Sequence, residues 1–70
     1  MTERDTRDDI YNFIKAFIEH NGYSPSVREI ATGVGVSSTN TVNYHKNWLT
    51  DDGLIDYIPG MPRSLRIVEV

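Results

Sequence analysis

The stretch from Ser26 to Ser38 allows little besides a short helix, a tight turn and the start of a second helix. Ser26-Val27-Arg28-Glu29 places a serine three residues ahead of a glutamate, the spacing at which each side chain caps the other's backbone N–H at a helix start. Ile30, Ala31 and Val34 give that helix an apolar face, and Gly33 and Gly35 shorten it. Gly35 can take the left-handed conformation that a tight turn needs, and Ala31 is small enough to let a following helix cross closely. Val36 then closes the turn toward a core, and Ser37 or Ser38 caps the next helix. Small residue, glycine four positions on, then an apolar residue is the spacing of a helix-turn-helix unit.

The flanks complete a fold around it. Ile10, Phe13, Ile14, Phe17 and Ile18 recur at i, i+3, i+4, i+7 and i+8, the stripe of a helix facing a core. Thr6 with Asp9 suggests a cap at its start and Asn21-Gly22 its stop. The helix after the turn is predicted to reach Thr50 or Asp51, with Val42, His45 and Leu49 inward and Asp52-Gly53 ending it. Leu54–Ile58 and Ser64–Val70 are rich in β formers, and Pro59 to Ser64 makes a loop between them. On the second strand Leu65, Ile67 and Glu69 share one face, and Arg66, Val68 and Val70 the other. The expected fold class is α+β: three helices followed by a two-stranded β-hairpin, residues 1–70 forming one domain, with the helix-turn-helix at about 26–51 and the hairpin at about 54–70.

Size and composition exclude most chemistry. A chain of 70 residues with 39% apolar residues buries only about 60% of the surface its unfolded form exposes. There is no cysteine, and the two histidines are isolated, so neither disulfides nor a structural metal can support the core. No phosphate loop, nucleophile motif or acid–base pair is present, so no catalytic residue, cofactor or small-molecule substrate is expected. The longest run without a charged residue, Ile30 to His45, is full of Thr, Ser, Asn and Gly and too polar to span a membrane, and the charged N-terminus does not resemble a signal peptide. A cytoplasmic location is expected.

The net charge is −3, whereas proteins that bind nucleic acid usually carry a basic surplus. Its distribution changes the inference. Residues 1–27 carry −2, 28–50 carry +1, 51–56 carry −3 and 57–70 carry +1. The acidity therefore sits in the first helix and in the turn Asp51-Asp52 to Asp56. The middle of the chain is faintly basic.

Asn40, Asn43, Tyr44 and Asn47 fall at i, i+3, i+4 and i+7 on the helix after the turn, and Ser38, Thr39 and Thr41 crowd its first turn. Asparagine is a poor helix former, so three on one stripe suggest a face selected for hydrogen bonding. Asparagine pairs bidentately with adenine N6 and N7, while Ser and Thr groups suit thymine methyls or phosphates. The free N–H groups at the helix start favour a phosphate. Arg28, Lys46, Arg63, Ser64 and Arg66 are candidates for the DNA backbone or minor groove. About four basic side chains per copy imply a slope of roughly −3 to −4 in log affinity against log salt. A solvated polar face, and arginines that merely protect an edge strand, are the plainer alternatives. His45 is expected to be packed, His20 to favour a helix C-terminus, and Trp48 and Tyr57 to belong to the core or its rim.

These residues resemble the N-terminal winged helix-turn-helix domain of LexA-type repressors over roughly residues 6 to 68. The matching pieces are Ile10–Ile18, then Gly22-Tyr-Ser-Pro25-Ser-Val-Arg28-Glu29-Ile30-Ala31, Gly35-Val36, Ser38-Thr-Asn40, His45, Leu49, Gly53-Leu-Ile55 and the wing from Gly60 to Leu65-Arg66. The resemblance implies sequence-specific binding of duplex DNA, usually by homodimers on inverted repeats, to repress transcription. It maps the base-reading positions onto Ser38, Asn40, Thr41, Asn43 and Tyr44. The best-known members carry acids at the last two of these, so a different operator is expected. Lys46 replaces a residue that is usually apolar. With no peptidase segment by Val70, the chain is expected to be a fragment of a longer repressor or a small stand-alone regulator. The rival expectation is a winged-helix protein-interaction module whose acidic side attracts a basic partner.

Overall fold

The computed structural model describes residues 6–68, Thr6 by its backbone alone. Helix α1 spans Thr6–Asn21, α2 Val27–Val34 and α3 Thr39–Asp51; strand β1 is Ile55–Asp56 and β2 is Arg66–Ile67. The strands pair antiparallel, with Ile55 opposite Ile67 and Asp56 opposite Arg66. This is the three-helix and hairpin order expected of a winged helix-turn-helix. Capping by the Thr6 side chain, and the alternation at Glu69 and Val70, lie outside the described residues.

Every element contributes to one core. Ile10 and Ile14 of α1, Ile30 and Ala31 of α2, Val42 and Leu49 of α3, Ile55 of β1 and Leu65 beside β2 are buried together. Phe13, Ile18, Val34, Val36 and Ile67 pack against them from the rim. The α1 stripe thus faces inward as its spacing predicts.

The local signals at the turn appear as written in the sequence. Ser26 Oγ accepts from the Glu29 N–H at 3.2 Å and Glu29 Oε1 accepts from the Ser26 N–H at 2.8 Å. Gly35 ends α2 at φ 80°, and the N–H groups of Gly35 and Val36 both reach Ala31 O at 3.0 Å. Of the two serines available, Ser38 caps α3, its Oγ accepting from Asn40 N–H at 3.1 Å.

Gly33 does more than shorten α2. A Cβ at this position would overlap Cε2 of Phe13, so the α1–α2 approach depends on its absence. Alanine normally stabilises a helix by about 1 kcal/mol relative to glycine, but overpacking costs about 1–3 kcal/mol. Gly33→Ala is therefore expected to lose up to about 2 kcal/mol in denaturant titration, and Phe13→Leu in that background to recover part of it.

The strands are shorter than the β-rich runs suggest, which corrects the expected spans of Leu54–Ile58 and Ser64–Val70. The N–H of Tyr57 donates to Asp56 Oδ1 at 2.9 Å and that of Ile58 to Ser64 Oγ at 3.0 Å. With both donors taken by side chains, the ladder stops after Asp56.

Candidate nucleic-acid interface

The inward side of α3 is set by Val42 and Leu49, both fully buried. Helical periodicity then turns Asn40, Asn43, Tyr44 and Asn47 outward, and all four are exposed, as is Thr39; Thr41 is half-buried. The first turn of α3 carries no acid, so the partial positive charge of its N-terminus is uncompensated there. Asp51 and Asp52 lie at the other end of the helix, about 20 Å away at about 1.5 Å per residue. Uneven charge along the sequence becomes a physical separation along α3.

Beside this face, a groove of about 440 Å³ runs between α2, α3 and the hairpin loop, lined by Arg28, Thr39, Asn43, Lys46, Tyr57 and Ser64 among others. Arg28 is exposed and has no salt bridge among the described residues. Lys46 Nζ lies 4.2 Å from the Tyr57 ring centroid, and burial lowers its pKa from the usual lysine value. Arg28 from α2 and Lys46 from α3 place two cations on the lining of this groove, which Asn43 shares. An elongated polyanion is the ligand class this arrangement suits best.

The hairpin cations have internal partners. Arg63 Nη1 donates to Glu29 Oε1 at 2.8 Å and to Ser24 O at 3.0 Å, and the guanidinium lies 5.2 Å from the Tyr23 ring centroid. Arg63 also sits at φ 57°, in the left-handed region that a side chain disfavours. Arg66 Nη2 donates to Asp56 Oδ2 at 3.0 Å. Ser64 Oγ lies 2.8 Å from Met61 O while accepting the Ile58 N–H. These three residues therefore shape the wing and tie it to the start of α2. Likewise Asn47 Oδ1 accepts from the Tyr57 hydroxyl at 2.8 Å, which connects α3 to the wing.

Glu29 closes the α2 cap and receives Arg63 through the same oxygen. Its pKa is lowered first by the Arg63 hydrogen bond and then by the Ser26 N–H; that of Asp56 is lowered by Arg66 and then by the Tyr57 N–H. A carboxylate with a depressed folded-state pKa stabilises the fold above its unfolded value, about 4 for both residue types, and loses that contribution as pH falls through the folded value. The thermal midpoint is accordingly expected to fall below about pH 4.5. In Glu29→Gln the midpoint should be lower at pH 7 and vary less between pH 5 and 3. Both groups are solvent-accessible, so the change will be modest.

His45 is half-buried as expected, but Trp48 is not a core residue. It is 49% exposed, next to a Tyr44 that is 60% exposed. The two rings stack 6.1 Å apart at 25°, and Arg7 Cζ lies 5.3 Å from the Trp48 ring centroid. The i, i+4 spacing of Tyr44 and Trp48 on the polar side of α3 was the available signal for this pair. Aromatic character alone pointed to the core instead.

Comparison with known proteins agrees with this geometry. A sequence model of the family described as "LexA DNA binding domain" matches residues 1–64. The chain is 45% identical over 65 residues to the LexA repressor of Clostridium botulinum (strain Hall), covering 93% of this chain and 32% of that protein. It is 44% identical over 66 residues to the LexA repressor of Clostridium acetobutylicum, and 47% identical over 66 residues to that of Clostridium perfringens (strain SM101), with 94% of this chain and 32% of the relative covered in each case. The chain thus spans about a third of the length of the curated relatives it matches.

Proposed function

The chain belongs to the LexA DNA-binding domain family, and from that premise we propose that it binds duplex DNA sequence-specifically and acts as a transcriptional repressor. α3 lies in a major groove, which is about 12 Å wide and admits a helix. Asn40, Asn43 and Tyr44 meet base edges, with Thr39 and Thr41 at the entry to the groove; Ser38 supports them from the cap, and Asn47 sets the wing. Arg28 and Lys46 meet phosphates. Two copies on an inverted repeat would each supply one such face, raising affinity through effective concentration.

The observation that carries this reading is the outward asparagine stripe at the acid-free end of α3, flanked by Arg28 and Lys46. A protein-binding role for the acidic turn is less well supported, because Asp52 receives Arg7 at 3.3 Å and Asp56 receives Arg66.

Selection of bound duplexes from a random pool, followed by anisotropy titration, tests the proposal. A recurrent inverted repeat supports it; equal affinity for every duplex would defeat it. Because Arg63 and Arg66 have acidic partners, the phosphate contacts reduce to about two per copy. The expected slope of log affinity against log salt is then about −2 per copy, shallower than the four basic residues alone imply. Arg28→Ala should weaken binding to all sequences alike and reduce the slope by about 1.

A further inference from the structure

Resting on the reading that α3 enters a major groove, we propose that Tyr44 reads the 5-methyl group of a thymine and that Trp48 is the residue that positions it. Tyr44 lies four residues after Asn40 and three before Asn47, on the outward side of α3. Its neighbours there are amides, which sort bases by donors and acceptors. A phenol ring adds an apolar surface, and the only apolar group that a base pair presents in the major groove is the thymine methyl.

The ring is held before any ligand arrives. Trp48, one helical turn on, stacks against it at 6.1 Å, and the His45 ring meets it edge-on at 5.2 Å. Arg7 lies over Trp48, and its Nη1 reaches Asp52 Oδ2, at the C-cap of α3, at 3.3 Å. The row Tyr44, Trp48, Arg7, Asp52 therefore runs along one flank of α3 and anchors it to α1. A half-exposed indole contributes little to the core. Supporting an exposed tyrosine, so that less side-chain freedom is lost on binding, gives it a physical purpose.

A phosphate contact by the Tyr44 hydroxyl would be indifferent to base identity, so methyl removal separates the two cases. The test uses the selected duplex, with each thymine of a half-site replaced singly by deoxyuridine, and measures affinity by anisotropy. Loss of one buried methyl predicts about a fourfold weakening at one position, and 5-methylcytosine there should outbind cytosine by a similar factor. Tyr44→Phe should keep the thymine-to-uridine ratio, and Tyr44→Ala should reduce it to about one. Trp48→Ala should shrink the ratio while leaving affinity for the uridine duplex unchanged, and Trp48→Phe should restore it; a merely structural role would lower both affinities together.

No thymine position with more than a twofold effect in the unaltered chain, or a ratio that survives Tyr44→Ala, would overturn the methyl contact alone. Failure to bind any duplex at low salt would instead overturn the DNA-binding reading beneath it.

Discussion

Replacing Asn40 and Asn43 together by alanine is expected to lower affinity for the preferred duplex by about 30-fold to about 10⁴-fold while leaving affinity for random duplex nearly unchanged. Each bidentate asparagine–adenine pair contributes about 1–3 kcal/mol of discrimination, so two contribute about 2–6 kcal/mol if their effects add. Both side chains are exposed, and neither has a hydrogen-bond partner among the described residues. The Asn40 backbone N–H keeps its cap from Ser38 in the variant. Alanine is also the better helix former, so the thermal midpoint should stay level or rise slightly. Anisotropy on the two duplexes, with melting measured in parallel, separates lost readout from lost structure. An equal loss on random duplex would mean that these residues contact the backbone rather than the bases.

Leu49→Ala should have the largest effect on stability. Leu49 is fully buried in the cluster shared by all three helices and the hairpin, and the Leu54 N–H bonds to its carbonyl at 3.0 Å where the chain leaves α3. Truncating a buried leucine costs about 2–5 kcal/mol through lost burial and the cavity left behind. Natural domains hold about 0.05–0.15 kcal/mol per residue, or roughly 3.5–10 kcal/mol at this length. The variant is therefore expected to melt at least about 10 °C lower, and it should be partly unfolded at 37 °C if the native stability lies near the lower figure. Trp48→Ala, one residue away on the same helix, should shift the midpoint far less because its ring is half-exposed. Circular dichroism melts of the two variants compare these environments directly, and similar losses would contradict the burial assigned to them.

The contrast between Leu49 and Trp48 also shows where the sequence could be read and where it could not. Apolar spacing located Ile10, Ile14, Val42 and Leu49 because helical periodicity is a local property. The Ser26–Glu29 cap and the Gly35 turn were equally legible, since each depends on residues within one or two turns of helix. The outward stripe of Asn40, Asn43 and Tyr44 followed from the same periodicity. Trp48, expected in the core or its rim from its aromatic character, follows the same periodicity to the outside; what only the fold supplies is Arg7 over its ring, from another helix and 41 positions away in the chain.

The wing shows the same division. Its β-forming residues marked a hairpin, but its ladder ends early because Asp56 and Ser64 take the N–H groups of Tyr57 and Ile58. The sequence offers Arg63 and Arg66 as candidates for the DNA backbone or minor groove, and the fold gives them acidic partners in Glu29 and Asp56, 34 and 10 positions away.

Short-range chemistry, then, was enough to establish the order of elements, the helix-turn-helix and the face that α3 presents. Which polar side chains stay available on that face depended on partners distant in sequence. A cap or a helical stripe is specified by neighbours at set spacing, whereas an ion pair or a cation–ring contact between distant residues exists only once packing has placed both members.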